Sequence, residues 1–117
     1  MIRRNNEFGE IAVSNNVYTT IAGNAATNCF GVKGMAIRSV ADGLVHLLRR
    51  ESMAKGVYVR TNEDGTISID LHIIVNQGVN IPVLGKSIIS EVRYVVSKQT
   101  ETEIRDVTIF VDSVMSD

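Results

Sequence analysis

The sequence predicts an α+β fold, a two-layer sandwich in which two main helices cover one face of a three-stranded sheet that also has a short N-terminal strand. Apolar residues alternate with period two over residues 66–75, which is typical of a strand. Two longer segments, residues 15–29 and 81–99, repeat apolar residues at helical spacing. Only one face of the alternating strand is strongly apolar, so both helices are expected to cover that face.

The bulk composition favours a packed domain over a disordered chain. The 117 residues are 44% apolar and 21% charged, enough for one domain over residues 1–117 with residues 1–8 expected to be disordered. The net charge of -1 argues against general nucleic-acid binding. With one cysteine, no signal peptide and no long apolar run, we expect a cytoplasmic protein that does not span a membrane.

The N-terminal half begins with an extended segment at residues 10–13 and continues into the first helix. Ser14 is the predicted N-cap, because its hydroxyl can accept a hydrogen bond from the first helical turn. Gly31 and Gly34 are expected to end the helix. Its apolar stripe consists of Val17, Ile21, Ala22, Ala25, Ala26 and Cys29.

Residues 35–50 give a weaker signal, which we interpret as a partly helical and mobile segment. The apolar spacing suits a short amphipathic helix, although Gly43 opposes it. Arg49, Arg50 and Lys55 form a small basic cluster. We interpret this cluster as a solvated helix end, with contact to an anionic lipid surface as the alternative.

The C-terminal half predicts a strand, a hairpin, a helix and a last strand. Residues 57–61 alternate, and Asn62 to Gly65 form a hairpin turn before the strand at residues 66–75. The second helix is expected over residues 81–99, and the last strand over residues 104–113. The predicted inner face of the second helix consists of Leu84, Ile88, Val92, Val95 and Val96.

The tripeptide Gly85-Lys86-Ser87 resembles the end of a phosphate-binding loop, but its surroundings predict a helix. The loop motif requires a glycine five residues before Gly85, where this chain has Asn80. Pro82 suits the first turn of a helix, with Asn80 or Ile81 as the cap. The amides of residues 85–87 would then be bonded within the helix, so we expect no nucleotide cofactor.

The candidates for metal binding and nucleophilic catalysis are sparse. Asp70 and His72 share one face of a strand and could begin a metal site, but no third ligand is apparent. Cys29 lies on a helical stripe and is interpreted as a small core residue. We therefore expect no metal, no cofactor and no catalytic residue.

The sheet face turned away from the helices carries an unusual set of side chains. If the strands are neighbours, Tyr58, Ile74 and Phe110 form an apolar patch there, flanked by Arg60 and His72. Such patches mark interaction surfaces, and we predict one from Tyr58, Arg60, His72, Ile74 and Phe110. The alternative, three scattered exposed apolar residues, stays open.

Three stretches of the sequence resemble the alkaline shock protein family, the envelope stress response proteins of Gram-positive bacteria. They are GEIAVSNNVYTTIAGNAATNCFGVKGM, ISIDLHIIVNQGVNIPVLGKSIISEVRYVV and VTIFVDSV. The resemblance covers about residues 9–114. Its most specific features are the strand that ends directly before GVNIP, and the IAGNAAT helix followed by GV-x-GM.

The resemblance implies a contact protein without catalytic activity. Members of this family are abundant in the cytoplasm, and a small membrane-anchored partner tethers some of them beneath the membrane. Stress-induced members have longer charged ends, so this chain looks like a minimal housekeeping version. We expect a homo-oligomer that docks to a partner at the inner face of the membrane. The alternatives are an RNA-binding module, or a metal-assisted small-molecule module using the open sheet face.

Overall fold

A computed structural model describes residues 2–38, 44–48 and 50–116. The helices are α1 (Asn15–Thr27) and α2 (Ile81–Thr100), and a 3-10 helix spans Arg50–Gly56. The strands are β1 (Ile2–Asn6), β2 (Gly9–Val13), β3 (Val32–Arg38), β4 (Val45–Leu47), β5 (Val57–Thr61), β6 (Ile67–Asn76) and β7 (Ile104–Met115).

The predicted α+β class is confirmed, but the main sheet has five strands instead of three. The central strand is β6, and β7 runs parallel to it along one side. On the other side of β6, antiparallel β5 pairs with Ile67–Leu71 and antiparallel β3 pairs with Ile73–Val75. Strand β4 extends the sheet beyond β3.

Both helices pack on one face of this sheet, as predicted. The alternating side chains Ile67, Ile69 and Leu71 of β6 point into a core that Tyr18 and Ala22 of α1 also line. Helix α2 contributes a second stripe to the same core. Its buried residues are Leu84, Ile88, Val92, Val96 and Thr100. Burial of both helical stripes against one apolar sheet face is the main source of stability in such a fold.

The start of α2 confirms the prediction of a capped helix. The Asn80 side chain accepts a hydrogen bond from the Val83 amide at 3.1 Å, and Pro82 lies in the first turn. The segment from Gly85 to Ser87 lies inside the helix. Its amides therefore point along the helix and do not form a loop around an anion.

The start of α1 departs from the prediction in two details. Ser14 occupies the N-cap position, but its side chain makes no capping hydrogen bond. Tyr18 is completely buried, whereas Val17 is 42% exposed, so the inner stripe begins at Tyr18. The helix ends at Thr27, two residues earlier than predicted.

The predicted helix within residues 35–50 is wrong where the structure describes that segment. Residues up to Arg38 belong to β3, and Val45–Leu47 form β4. Met35 pairs with Ile73 of β6, so tertiary pairing determines the local conformation here. The remaining part of that prediction, residues 39–43 and 49, lies outside the described residues.

The N-terminal segment, expected to be disordered, forms a hairpin instead. Strands β1 and β2 pair antiparallel, and Arg3 forms an ion pair with Glu10 across them. Phe8 at the tip is 90% exposed. The radius of gyration is 15.0 Å, compared with about 13 Å for a compact chain of this length. An elongated molecule with a largely exposed hairpin accounts for the difference.

The predicted turn between β5 and β6 is stabilised by Asp64. Its carboxylate accepts hydrogen bonds from the hydroxyl of Thr66 at 2.6 Å and from the amide of Thr66 at 3.0 Å. These two bonds lower the pKa of Asp64 below its ordinary value. Gly65 follows with a φ of 86°, a backbone conformation that favours glycine.

Asp64→Ala is expected to lower the melting temperature by a few degrees at neutral pH and by progressively less in acid. A carboxyl whose pKa is lower in the folded state stabilises the fold above its unfolded pKa, and this contribution is lost as the pH falls through the folded pKa. Thermal unfolding of both proteins from pH 7 to pH 2 measures the difference. Glu63→Ala, which removes a carboxylate from the same exposed turn, is the control; an equal loss for both variants would contradict the role of Asp64.

Candidate functional site

On the sheet face turned away from the helices, side chains of neighbouring strands contact each other in a row. The contacts are polar at one end of the row and aromatic at the other. At the polar end, the Asn62 amide donates to the hydroxyl of Ser68, which donates to the carboxylate of Asp106. In the middle, Arg60 and Asp70 form an ion pair at 2.5 Å. Beyond this pair the face becomes aromatic.

Three rings from three strands form an aromatic cluster on this face. His72 of β6 stacks on Phe110 of β7, with ring centroids 4.6 Å apart and planes at 9°. Tyr58 of β5 meets the His72 ring edge-on at 5.5 Å. Tyr58 is 51% exposed and Phe110 is 41% exposed. The strand order therefore brings these predicted residues together and leaves much of their surface in solvent.

The orientation of His72 is set by a carboxylate. Its Nδ1 lies 2.9 Å from an Asp112 oxygen. Because a carboxylate accepts hydrogen bonds, this contact favours the tautomer in which Nδ1 carries the proton and donates it. Asp112 lies at an irregularity in the β6–β7 register, between Val111 and Ser113. Alternation along β7 already places Asp112 on the same face as Phe110, and the irregularity leaves Asp112 without a ladder partner in β6.

A small cleft opens beside His72, at the point along β6 where the neighbouring strand changes from β5 to β3. Val57 pairs with Leu71 and Met35 pairs with Ile73, so His72 lies at the junction of the two partner strands. The residues lining the cleft are Ala36, Ile37, Tyr58, His72 and Asp112. Tyr58 and His72 give this cleft an aromatic wall.

Arg60 belongs to the same exposed face. The hydrogen bond and the negative charge of Asp70 raise the pKa of its guanidinium. Because the Arg60 side chain is largely exposed to solvent, the ion pair is expected to contribute little to folding stability. Its effect is to place a charged pair beside the aromatic cluster.

Of the residues predicted to form this surface, Ile74 is the one that the structure buries. Its side chain is completely buried, so the expected exposure of Ile74 was wrong. Its ladder neighbour is Gly34, and Leu47 of β4 lies where a side chain at position 34 would stand. The β3–β4 hairpin, absent from the predicted fold, therefore occupies this end of the face.

Asp70 and His72 bond to different partners, whereas two ligands of one metal ion would converge on a common point. Asp70 bonds to Arg60, and His72 bonds to Asp112. Within residues 2–38, 44–48 and 50–116, no group of three or more His, Cys, Asp or Glu side chains is placed to hold a metal ion. Alternation places Asp112 on this face, but its bond to His72 of another strand was not predicted. The cleft residues Ala36 and Ile37 were not predicted either, because non-local pairing of β3 with β6 positions them.

Cys29 has the environment of an inert thiol. It is half-buried at the end of α1, and its sulfur donates to the Ala25 carbonyl at 3.6 Å. Burial, and to a lesser extent the charge of Glu91, raises the pKa of the thiol. A raised pKa reduces the thiolate population at neutral pH, which disfavours nucleophilic chemistry.

The fold and this face define a small α+β protein whose open sheet surface combines aromatic rings with a charged pair. The model of the alkaline shock protein 23 family, described as having a cell envelope-related function, matches residues 3–116. The chain belongs to this family, the alkaline shock protein family that the sequence motifs predicted.

Curated relatives of this chain occur in Bacillus subtilis and Streptococcus pyogenes. The uncharacterized protein YloU of Bacillus subtilis is 37% identical over 109 residues, which cover 92% of this chain and 90% of the relative. The uncharacterized protein Spy1614 of Streptococcus pyogenes is 34% identical, with 97% and 93% of the two chains covered. YqhY of Bacillus subtilis is 29% identical over 117 residues, covering 100% of this chain and 85% of the relative. No solved structure matches.

The family has a cell envelope-related function, and none of these findings indicates a catalytic family. No helix in the described part of the chain is both long and apolar enough to cross a membrane.

Proposed function

We propose that this protein serves the cell envelope as a non-catalytic interaction module that self-associates and docks to a partner at the inner face of the membrane. The family description supports the envelope role. The observation that carries the docking proposal is the aromatic cluster of Tyr58, His72 and Phe110, which is held in one arrangement by stacking and by Asp112 yet remains partly exposed.

The physical argument for a docking surface is that its side chains would lose little conformational entropy when a partner binds. His72 is already oriented by Asp112 and packed between two rings, so few rotamers are lost when a partner covers it. Aromatic side chains and arginine are enriched among the residues that dominate interface energies. Arg60 lies beside the cluster and can supply a polar rim.

Replacing Tyr58 with a photo-crosslinking residue is expected to capture an envelope-associated protein in living cells, because position 58 faces the partner. The matched position is Tyr94 of α2, which is also exposed, at 60%, but lies far from this face. The readout is the identity and amount of crosslinked protein recovered from membrane and soluble fractions.

In an affinity pull-down without the crosslinker, the double variant Tyr58→Ser/Phe110→Ser is expected to reduce recovery of that partner at least tenfold, the equivalent of about 1.4 kcal/mol of binding. Tyr94→Ser should leave recovery unchanged. Equal crosslinking from positions 58 and 94, or undiminished recovery with the double variant, would contradict docking through this surface.

Single-stranded nucleic acid is a second candidate, favoured by the same observation. Exposed Tyr58 and Phe110 beside Arg60 are side chains that can stack on bases. The net charge of -1 supplies little attraction for phosphates. Quenching of tyrosine fluorescence by single-stranded RNA that weakens with added salt would support this candidate, and its absence would remove it.

A further inference from the structure

Strand β7 forms an unusually long open edge of the main sheet. It spans 12 residues, or about 40 Å, and in the described part of the chain it pairs only with β6. Among those same residues, no strand bonds to the backbone amides and carbonyls on its other side. Edges of this kind are templates for pairing with another chain, and proteins usually shorten or blunt them.

The two ends of this edge are blunted, whereas its middle is not. At the start, the Arg93 guanidinium donates to the carbonyls of Ile104 and Arg105, both at 2.8 Å. Near the end, Asp112 lies at a register irregularity. Between the Arg93 contact and the register irregularity, Val107–Val111 pairs regularly with β6 and carries no charge.

Both surfaces beside this middle segment can receive side chains. On the helix side, a groove between α2 and β7 is lined by Ile81, Gly85, Ile89 and Ile109. Within the described part of the chain, and apart from Gly85, its two chain neighbours and the surrounding helix backbone, no atom lies within 4 Å of the position that a Cβ at Gly85 would take. On the other side, Phe110 is partly exposed. An added strand would therefore place alternate side chains in the groove and against Phe110.

We propose that the added strand is β7 of a second copy, running antiparallel about a two-fold axis that passes Ile109. This register pairs Ile109 with its own copy, Val107 with Val111 and Thr108 with Phe110. Each pair lies on one side of the sheet, as directly opposed residues must. Apolar side chains then meet beside the α2 groove, and small Thr108 faces large Phe110.

The chemistry of β7 itself favours a second copy as the occupant. The segment Val107–Val111 has the apolar alternation that the groove requires, and an isologous pairing uses the same patch twice. Asp106 and Asp112 approach each other across the axis, which restricts the ladder to the uncharged residues between them. A ladder this short buries less than about 1,200 Å², so we expect a reversible dimer with a dissociation constant on the order of micromolar.

This inference rests on the proposed self-association and specifies how it is built. A two-fold axis perpendicular to the sheet leaves the helices of both copies on one side. The aromatic clusters of both copies then lie together on the opposite face. A partner with two docking segments, or a surface carrying several partners, would bind such a dimer more tightly by multivalency.

The decisive experiment is a charge exchange at position 109, measured by sedimentation equilibrium. Ile109→Lys and Ile109→Glu, each alone, are expected to weaken dimerisation at least tenfold, because like charges oppose each other at the axis. Mixing the two variants should restore a heterodimer. Val83→Lys and Val83→Glu at an exposed position of α2 are the controls and should dimerise like the wild type.

A second measurement needs no variant and therefore cannot be confused with misfolding. Hydrogen exchange of the wild-type amides in Val107–Val111 should slow as the protein concentration rises through the dissociation constant. Wild type that stays monomeric up to about 1 mM, concentration-independent exchange, or folded variants at position 109 that do not pair when mixed would each overturn the proposal. Undiminished partner capture by Tyr58→Ser/Phe110→Ser, with a normal dimer, would overturn only the docking surface.

Discussion

Ile74→Glu is expected to abolish the folded state, although Ile74 belongs to the sheet face on which we predicted an open patch. Ile74 is completely buried, with Gly34 and Ser113 as its neighbours in the sheet. A carboxylate at this position would lose its hydration on folding. We expect a cost of about 4 kcal/mol or more, a large part of the stability of a domain of this size.

The matched control is Phe110→Glu, the same kind of change on the same face. Phe110 is 41% exposed and can place a carboxylate in water. Loss of its stack on His72 should cost about 1 kcal/mol. Circular dichroism and urea unfolding separate the outcomes: no cooperative transition for Ile74→Glu and a nearly normal one for Phe110→Glu. Similar unfolding midpoints for the two variants would contradict the assigned burial of Ile74.

This contrast shows which features of the fold are local enough to be predicted. Strand β6 alternates with period two as far as Ile73, helix α2 carries a period of 3.6, and Asn80 with Pro82 marks the start of α2. These signals lie within one element and do not depend on its partners. The predicted bounds of both elements agree with the structure to within one residue.

The strands β3 and β4 could not be predicted by the same reasoning. Gly34 interrupts the apolar pattern of β3, and β4 is only three residues long. The conformation of β3 is determined by pairing with residues almost forty positions away, such as Met35 with Ile73, and β4 in turn pairs with β3. A period count over neighbouring residues contains no information about such partners.

The candidate site divides in the same way. Alternation placed Tyr58, His72 and Phe110 on one face, and the strand order brought them into contact. The burial of Ile74 depends on Leu47 passing over Gly34, which belongs to the hairpin that was not predicted. The bond from His72 to Asp112 joins two different strands and lies at a register irregularity, neither of which local alternation predicts.

The two proposed contacts of this protein use different chemical groups and can therefore be separated. Docking through the aromatic cluster relies on side chains, so Tyr58→Ser removes part of it without touching a backbone hydrogen bond. Pairing through β7 relies on backbone groups and on the side of the strand that faces α2, where Ile109 lies. A protein that used only one contact would respond to only one set of substitutions.

Tyr18→Ala is expected to destabilise the protein by about 3–5 kcal/mol, as other aromatic-to-alanine changes in cores do. Tyr18 of α1 is completely buried, and its hydroxyl lies 2.7 Å from the hydroxyl of Thr102, between α2 and β7. The substitution leaves a cavity and also removes the bond that joins α1 to this connection. Urea unfolding followed by circular dichroism measures the loss.

A double-mutant cycle separates the hydrogen bond from the cavity. Tyr18→Phe keeps the ring and should cost about 1–2 kcal/mol, because Thr102 is also buried and loses a partner. Thr102→Val should cost a similar amount, and the double variant should cost less than the sum of the two because the shared bond is lost only once. Strictly additive costs would show that the two hydroxyls do not stabilise each other and that packing alone holds α1 to the sheet.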